Sequence, residues 1–224
     1  MTEKKNLVEG VLKELEWMIV EQMNPGDKLP SEMELAERFN VGRSTIRESM
    51  TALTAKKLVV KRKEGTFVSE HVNECLIDPL NIMIHMEVGE IKDLMQIREI
   101  LELGTIRLAA EKADEETILN MERLDWQMNE PGITPEVMQK RDIEFHSEIA
   151  KASGNPVLME LLKALRKVIA TNVESQDVMF ALGETSHNMH REIIEAIRKH
   201  DAETAYRQMK KYFQYVNENG AFKK

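Results

Sequence analysis

Apolar residues recur at helical spacing from residue 76 to residue 218, and this constrains the fold of the 224-residue chain more than any other feature. No strand-like alternation interrupts the pattern. The predicted helices lie near 76–86, 90–112, 114–129, 135–152, 156–177, 184–199 and 201–218. Breaks between helices are expected at Gly89, Pro131–Gly132, Gly154 and Gly183. Asp114 and Thr134–Pro135 are favourable residues for the start of a helix. We therefore expect an antiparallel all-helical bundle over residues 79–224.

The N-terminal part begins with three predicted helices. Residues 6–22 are amphipathic at helical spacing, and Ser31 with Glu34 three residues later matches a capping box that starts a second helix. After a short break, a third helix is expected from Arg43 to Lys56.

A β-hairpin is predicted after the third helix. Two short β-branched or aromatic runs flank a charged turn that ends at Gly65. Three helices followed by a hairpin are typical of a winged helix-turn-helix. We expect this domain at residues 1–70, a linker at 71–78 and a mostly α fold for the whole chain.

The charge of the chain is unevenly distributed. The formal net charge is −8 and the pI about 5.4, yet residues 38–63 hold eight basic residues and one acid, Glu48. The basic residues are Arg38, Arg43, Arg47, Lys56, Lys57, Lys61, Arg62 and Lys63. A local positive excess on an acidic protein favours a polyanion-binding surface, and a solvated basic face is the alternative.

The basic segment has the residues that a DNA-reading helix needs. At the start of the third helix, Arg43 and Arg47 lie four residues apart and reach guanine edges or phosphates, and Ser44 and Thr45 suit phosphates or base edges. The wing residues Lys61, Arg62, Lys63 and Gly65 are expected to meet the neighbouring DNA backbone or minor groove. We therefore expect double-stranded DNA as a partner.

These residues resemble a known family of bacterial transcription regulators. Leu29–Pro30–Ser31–Glu32, Leu35–Ala36, Val41, Arg43, Arg47, Leu53 and Gly65–Thr66–Phe67–Val68 are similar to the winged helix of the GntR family. The helical remainder resembles the FCD effector domain of the FadR subfamily through Arg98, Glu102, Asp142, Phe145, His146, Ala152–Ser153–Gly154–Asn155 and His190 with Ile193, Ile194, Ala196 and Ile197. The resemblance covers nearly the whole chain.

Three positions depart from the family pattern. Met33 stands where the second helix often has a DNA-contacting arginine, and Gly42 replaces the common serine or threonine cap of the third helix. Lys63 replaces the first glycine of the wing tip, which restricts the backbone there but adds a positive charge. These departures bear on the operator sequence rather than on DNA binding itself.

A metal site is predicted in the helical domain. Asp142 and His146 are one helical turn apart, and His190 lies on an apolar stripe. The resemblance implies an aspartate and three histidines around a divalent metal, often zinc, with Tyr212 at the fourth position here. Tyrosine is a poor zinc ligand at neutral pH. Two alternatives remain at this stage: a metal-free polar core, and a substitute ligand in His187, which is otherwise exposed.

The effector site is expected near the same cluster. Arg98 lies on a largely apolar stripe, where its guanidinium would bind a carboxylate effector through two hydrogen bonds. A structural ion pair between Arg98 and Glu102 is the alternative. Tyr212 is a second candidate effector-binding residue.

The leading functional hypothesis is a ligand-responsive transcriptional regulator, expected to act as a repressor. It would bind a palindromic operator as a homodimer, with its affinity changed by a small organic acid in the helical domain. We expect no enzymatic activity, because no nucleophile motif or phosphate-binding glycine loop is present. The alternatives are a metal-dependent helical enzyme with a DNA-binding appendage and a structural dimeric scaffold.

The compartment is predicted from what the sequence lacks. The N-terminus has no signal-peptide pattern, the apolar stretches are broken by charge, and Cys75 alone allows no internal disulfide. We expect a soluble, cytoplasmic protein without a membrane partner.

Overall fold

The computed structural model describes residues 2–71, 73–172 and 184–219, and it divides the chain into two compact units, Met1–Cys75 and Leu76–Lys224. Helix α4, at Glu74–His85, begins inside the segment predicted as a linker. The boundary between the two units lies within the predicted linker at 71–78, and the helix begins shortly before its predicted start near residue 76. Ile77, Leu80 and Ile84 explain the difference, because they pack against the core of the second unit and hold this segment in a helix.

The first unit is a winged helix-turn-helix. It contains α1 at Thr2–Gln22, α2 at Glu32–Phe39, α3 at Arg43–Ala55, β1 at Val59–Arg62 and β2 at Gly65–Val68. The strands pair antiparallel, with Val59 opposite Val68 and Arg62 opposite Gly65, so Lys63 and Glu64 form the tip of the wing.

Local sequence signals explain where these elements begin. The predicted capping box is present, since the Glu34 amide donates to Ser31 Oγ at 3.3 Å and the Ser31 amide donates to Glu34 Oε2 at 2.7 Å. Buried residues from α1, α2, α3 and both strands form the core of the first unit, with Leu15, Leu35, Ile46, Met50 and Leu53 fully enclosed. This core fixes α3 with its other face towards solvent.

The second unit is helical throughout its described part. After α4 come α5 at Ile91–Lys112, α6 at Glu115–Met128, α7 at Pro135–Ala152, α8 at Pro156–Asn172, α9 at Glu184–Arg198 and α10 at Ala202–Asn219. The side chains of Asp114 and Thr134 cap α6 and α7 as predicted. Residues 173–177, which the sequence assigned to the fifth helix of this domain, and the break at Gly183 lie outside the described residues.

Helix α5 positions the site, because it packs against α7, α8, α9 and α10. The predicted inward stripes are confirmed: His190, Ile193, Ile194 and Ile197 on α9 are buried, as are Ala205, Met209, Tyr212 and Val216 on α10. The mostly α fold with an N-terminal winged helix is likewise confirmed. Among the described residues, no helix combines the length and the apolar character needed to cross a bilayer.

Candidate functional site

The exposed face of α3 carries two arginines and a serine. Arg43, Ser44 and Arg47 are exposed near its N-terminus, whereas Thr45 is buried next to Ile46, with 4% of its surface accessible. The prediction that Thr45 lies on the DNA-reading face was therefore wrong. Thr45 lies one turn before the buried Ser49 on the same side of the helix, so its side chain faces the core.

The two arginines of α3 differ in their surroundings. Arg47 Nε donates to Glu32 Oε2 on α2 at 3.2 Å, and the Arg47 side chain remains 69% exposed. Arg43 has no ion pair with any residue whose side chain is described. The pair with Glu32 uses the Nε atom of Arg47, and an exposed pair of this kind contributes only about 0–1 kcal/mol to stability.

The wing has charges of two kinds. Lys61 and Lys63 are exposed and have no ion pair within the described part of the chain. Arg62 Nη2 donates to Glu70 Oε2 at 2.6 Å, and its guanidinium lies 5.0 Å from the centroid of the Phe67 ring. Lys61 and Lys63 therefore carry the unpaired positive charges of the wing, whereas the charge of Arg62 is compensated by Glu70.

Gly65 has a structural reason to be glycine. Its φ angle is 140°, in the region that favours glycine, and a Cβ atom there would lie 2.7 Å from Lys28 Cε. Any other residue would strain the backbone and displace Lys28, so Gly65 shapes the wing rather than supplying a side chain to DNA.

A buried polar cluster lies in the second unit, where α7, α9 and α10 meet. Asp142 and His146 come from α7 and His190 comes from α9, and one ligand atom of each lies within 4.8 Å of the other two. Nε2 of His146 is 3.6 Å from Asp142 Oδ1, and Nε2 of His190 is 3.7 Å from the same oxygen. The three predicted metal ligands therefore converge on one point inside the bundle.

The spacing of these atoms fits a divalent cation. Both imidazole Nε2 atoms are buried and have no hydrogen-bond partner. Zinc–nitrogen bonds of about 2.0–2.1 Å place tetrahedral ligand atoms about 3.3 Å apart, close to the separations from Asp142 Oδ1. Burial by itself would raise the pKa of Asp142, but His146, His190 and Arg166 outweigh it and lower that pKa, so the carboxylate is charged. Two imidazoles and one carboxylate are a common ligand set for a divalent metal.

Tyr212 occupies the remaining side of the cluster. Its hydroxyl donates to Asp142 Oδ1 at 3.2 Å, and the ring is almost fully buried. Burial, followed by the charge of Asp142, raises the pKa of Tyr212 well above its ordinary value. A neutral phenol is a weak zinc ligand, so this side of the cluster does not supply a strong fourth ligand.

Arg98 lies next to the cluster, and the structure contains the ion pair with Glu102 that the sequence analysis gave as one of two alternatives. Its Nε donates to Glu102 Oε1 at 2.7 Å, so the structural ion pair is present, while its buried Nη2 has no hydrogen-bond partner. Arg166 Nη2 donates to the same oxygen of Glu102. Burial alone would raise the pKa of Glu102, but Arg166 and Arg98 outweigh it and keep that pKa below its usual range.

Two residues of this network were missed from the sequence, namely Arg166 and Asp125. Each is a charged residue on the apolar face of its helix, between Leu162 and Ile169 on α8 and beside Leu124 on α6, and this placement was an available signal of burial. His187, considered as a substitute ligand, lies 3.0 Å from Asp125 Oδ1 through its Nδ1 atom and is not part of the cluster.

Comparisons with known proteins give two family matches. Residues 7–68 match the family described as bacterial regulatory proteins, gntR family, and residues 93–215 match the FCD domain. The first range covers the winged helix, and the second contains Arg98, the buried cluster and Tyr212.

Individual relatives and a solved structure agree with these matches. The chain is 36% identical to the HTH-type transcriptional regulator LutR of Bacillus subtilis over 152 residues, covering 66% of this chain and 68% of LutR. It is 32% identical to the HTH-type transcriptional repressor NanR of an Enterobacter species over 222 residues, covering 96% and 85%. A GntR structure from Streptococcus agalactiae is 30% identical, covers 94% of this chain and 99% of its own, and has a TM-score of 0.75.

Proposed function

The chain belongs to the GntR family of bacterial regulatory proteins, and we propose that it is a ligand-responsive repressor. It is a transcriptional regulator with a DNA-binding helix-turn-helix and an FCD domain. The fold of the first unit and the repressor name of the NanR relatives support this role. The cytoplasm, where bacterial DNA lies, is its proposed location. The match to transcriptional regulators over nearly the whole chain favours this function over the enzyme and scaffold alternatives.

Operator recognition is assigned to α3 and the wing. Arg43, Ser44 and Arg47 form the exposed face of α3 near its N-terminus, the part of a recognition helix that contacts base edges in the major groove. Lys61 and Lys63 supply the unpaired charges of the wing for the DNA backbone. The exposed, basic end of α3 is the observation that carries the proposal.

Replacing Arg43 or Arg47 with alanine tests this assignment. Each change is expected to weaken operator binding by about 1–3 kcal/mol and to relax base preference, because a bidentate contact to a base is lost. Lys63→Ala should weaken specific and nonspecific binding alike and reduce the salt dependence, since it contacts phosphate only. Fluorescence anisotropy measures the specific affinity with the operator selected from a random DNA library and the nonspecific affinity with unrelated DNA.

Arg123→Ala is the matched control for charge. Arg123 is exposed on α6 in the other unit, and its side chain hydrogen-bonds Asn120. It should leave operator affinity unchanged. Undiminished affinity and base preference in Arg47→Ala would show that α3 is not the recognition helix.

A divalent metal, with zinc as the leading candidate, is proposed at Asp142, His146 and His190. The support is the pair of unpartnered Nε2 atoms that face one carboxylate oxygen. When bound, the metal would supply a Lewis-acidic centre with positions open to an oxygen ligand. The protein holds the ligands on two rigid helices, and the surrounding apolar core excludes water from them.

A small carboxylate is the proposed effector. The buried Nη2 of Arg98 has an unused donor beside the cluster, and a buried unpaired donor is costly to leave unsatisfied. A carboxylate would accept from Arg98 with one oxygen and approach the metal position with another. The Tyr212 hydroxyl, at the same cluster, is a further candidate contact for this ligand.

A homodimer is proposed through an apolar face formed by α5 and α8. Two neighbouring helices expose Ile97, Ile100, Val157 and Leu161, and 65% of the Ile100 surface is accessible. Gly104, one turn beyond Ile100, leaves open space where a Cβ would be, which allows close approach of another helix. A two-fold pair of such faces would place two winged helices on a palindromic operator.

Ile100→Asp is expected to weaken the dimer by at least about tenfold, because it would bury an unpaired charge in the proposed interface. Sedimentation velocity across a concentration series measures the change. Leu119→Asp is the control, since Leu119 is also apolar and exposed, on α6. Equal dissociation of the two variants and the wild type would contradict this interface.

We propose that the effector binds one arrangement of the dimer more tightly than another, and that the two arrangements differ in operator affinity. An effector changes operator affinity only if it binds the two arrangements of the dimer unequally. The buried network touches α5, α7, α8, α9 and α10, so a ligand there contacts most of the second unit at once.

A further inference from the structure

Glu102 lies where the anion-binding and metal-binding parts of the buried network meet. Its Oε1 accepts hydrogen bonds from Arg98 Nε and Arg166 Nη2, while its Oε2 is 2.8 Å from His146 Nδ1. All four side chains are buried. The two arginines come from different helices and both bind Oε1, which leaves Oε2 for His146.

The ring nitrogen of neutral His146 that carries the proton can be inferred from the distance between each nitrogen and its neighbouring carboxylate. A neutral imidazole has one N–H, and an ionised carboxylate can only accept a hydrogen bond. Nδ1 is 2.8 Å from Glu102, whereas Nε2 is 3.6 Å from Asp142, beyond hydrogen-bonding distance. A proton on Nδ1 removes the repulsion between two acceptors at the shorter distance. The Nε2 lone pair then faces Asp142.

We propose that Glu102 is a positioning residue that holds His146 in the Nδ1-protonated form, so that its Nε2 lone pair is directed at the metal position. This inference rests on the proposed metal site. The N–H direction is not aligned with Oε2, since Nδ1 lacks a hydrogen bond that meets the angular criterion. Catalytic hydrogen bonds in ligand-free enzymes are often poorly aligned and tighten when the ligand binds, and we expect the same of this contact when the metal binds.

The same carboxylate therefore serves both halves of the proposed site. Through Oε1 it orients Arg98, the proposed effector contact, and through Oε2 it orients His146, the proposed metal ligand. Outer carboxylates that fix an imidazole tautomer typically change metal affinity by 10–100-fold when they are removed.

The first test needs no mutation. Long-range ¹H–¹⁵N correlation spectra of the metal-free wild type, with ¹⁵N-labelled histidine, distinguish the two neutral tautomers and the imidazolium for each of the six histidines. His146→Gln identifies the His146 signals. We expect the neutral imidazole of His146 to carry its proton on Nδ1. A proton on Nε2, or on both nitrogens, would overturn the proposal.

Glu102→Gln provides the second test. The glutamine amide can donate to Nδ1, which favours the opposite tautomer, so His146 should move its proton to Nε2 and the affinity for Zn²⁺ should fall by about 10–100-fold. The signals of His190 should keep their form. An unchanged His146 tautomer in folded Glu102→Gln would contradict the positioning role.

Glu99→Gln is the matched control. Glu99 lies on the same helix three residues earlier, and its Oε2 accepts from Asn217 at 3.3 Å, outside the buried network. It should leave both the tautomer and the metal affinity unchanged. Wild type with the expected tautomer but without Zn²⁺ binding would contradict the proposed metal site and leave the role of Glu102 in orienting His146 supported.

Discussion

His146→Ala should abolish Zn²⁺ binding, and Tyr212→His should raise the Zn²⁺ affinity by an order of magnitude or more. The first change removes one of the three candidate ligands that the described residues bring together, Asp142, His146 and His190. The second places an imidazole on α10 at the position from which Tyr212 reaches Asp142 Oδ1 at 3.2 Å. The new imidazole would be the third nitrogen and the fourth ligand, and it would complete a tetrahedral site that a phenol with a raised pKa leaves open. Calorimetric titration of the wild type and both variants measures the three affinities.

Thermal melting separates this result from a metal-free polar core. In a metal-free core, Tyr212→His would lose the hydrogen bond to Asp142 and gain a poorly matched ring, which costs about 1–3 kcal/mol. The melting temperature would then fall and would not respond to Zn²⁺. In a metal site, Zn²⁺ should raise the melting temperature of Tyr212→His more than that of the wild type. The same response to Zn²⁺ in all three proteins would exclude metal binding at Asp142, His146 and His190.

The isolated fragment 1–75 should fold but lose at least about two orders of magnitude of operator affinity. The first unit has its own buried core from α1, α2, α3 and the strands, so it does not depend on the second unit for burial. The fragment lacks the apolar face of α5 and α8 and therefore binds each half-site alone. Circular dichroism reports its folding, and anisotropy with a full operator and with a single half-site reports binding.

The comparison between the two DNA probes is the decisive part of that experiment. The full-length protein should prefer the full operator strongly, whereas the fragment should show little preference between the two probes. Addition of the effector candidates should leave the fragment unaffected. Operator affinity equal to that of the full-length protein would contradict a dimer held together by the second unit.

Local sequence patterns predicted the burial of most, but not all, of the residues considered on α3. The alternation of basic and apolar residues placed Arg43 and Arg47 outside and Ile46 inside, as the structure has them. The same pattern did not settle Thr45, since a small polar residue at the margin of a helix face fits either side. Its burial depends on how α3 packs in the core of the first unit.

The sequence also did not show which charged residues of the wing form ion pairs. Lys61, Arg62 and Lys63 are equivalent as a basic run, but Glu70 pairs with Arg62 across the hairpin. An ion pair between residues eight positions apart depends on strand register, and no charge count contains that information.

Periodicity and capping act between residues a few positions apart, so they were sufficient to predict the helices, the hairpin and the inward placement of Asp142, His146 and His190. The partners that these residues meet depend on how the helices pack. Glu102 and Arg166 are 64 positions apart and Tyr212 and Asp142 are 70 positions apart, yet both pairs are in contact. Contacts of this kind arise when helices pack, and the burial that removes water from them then sets their charges and pKa values.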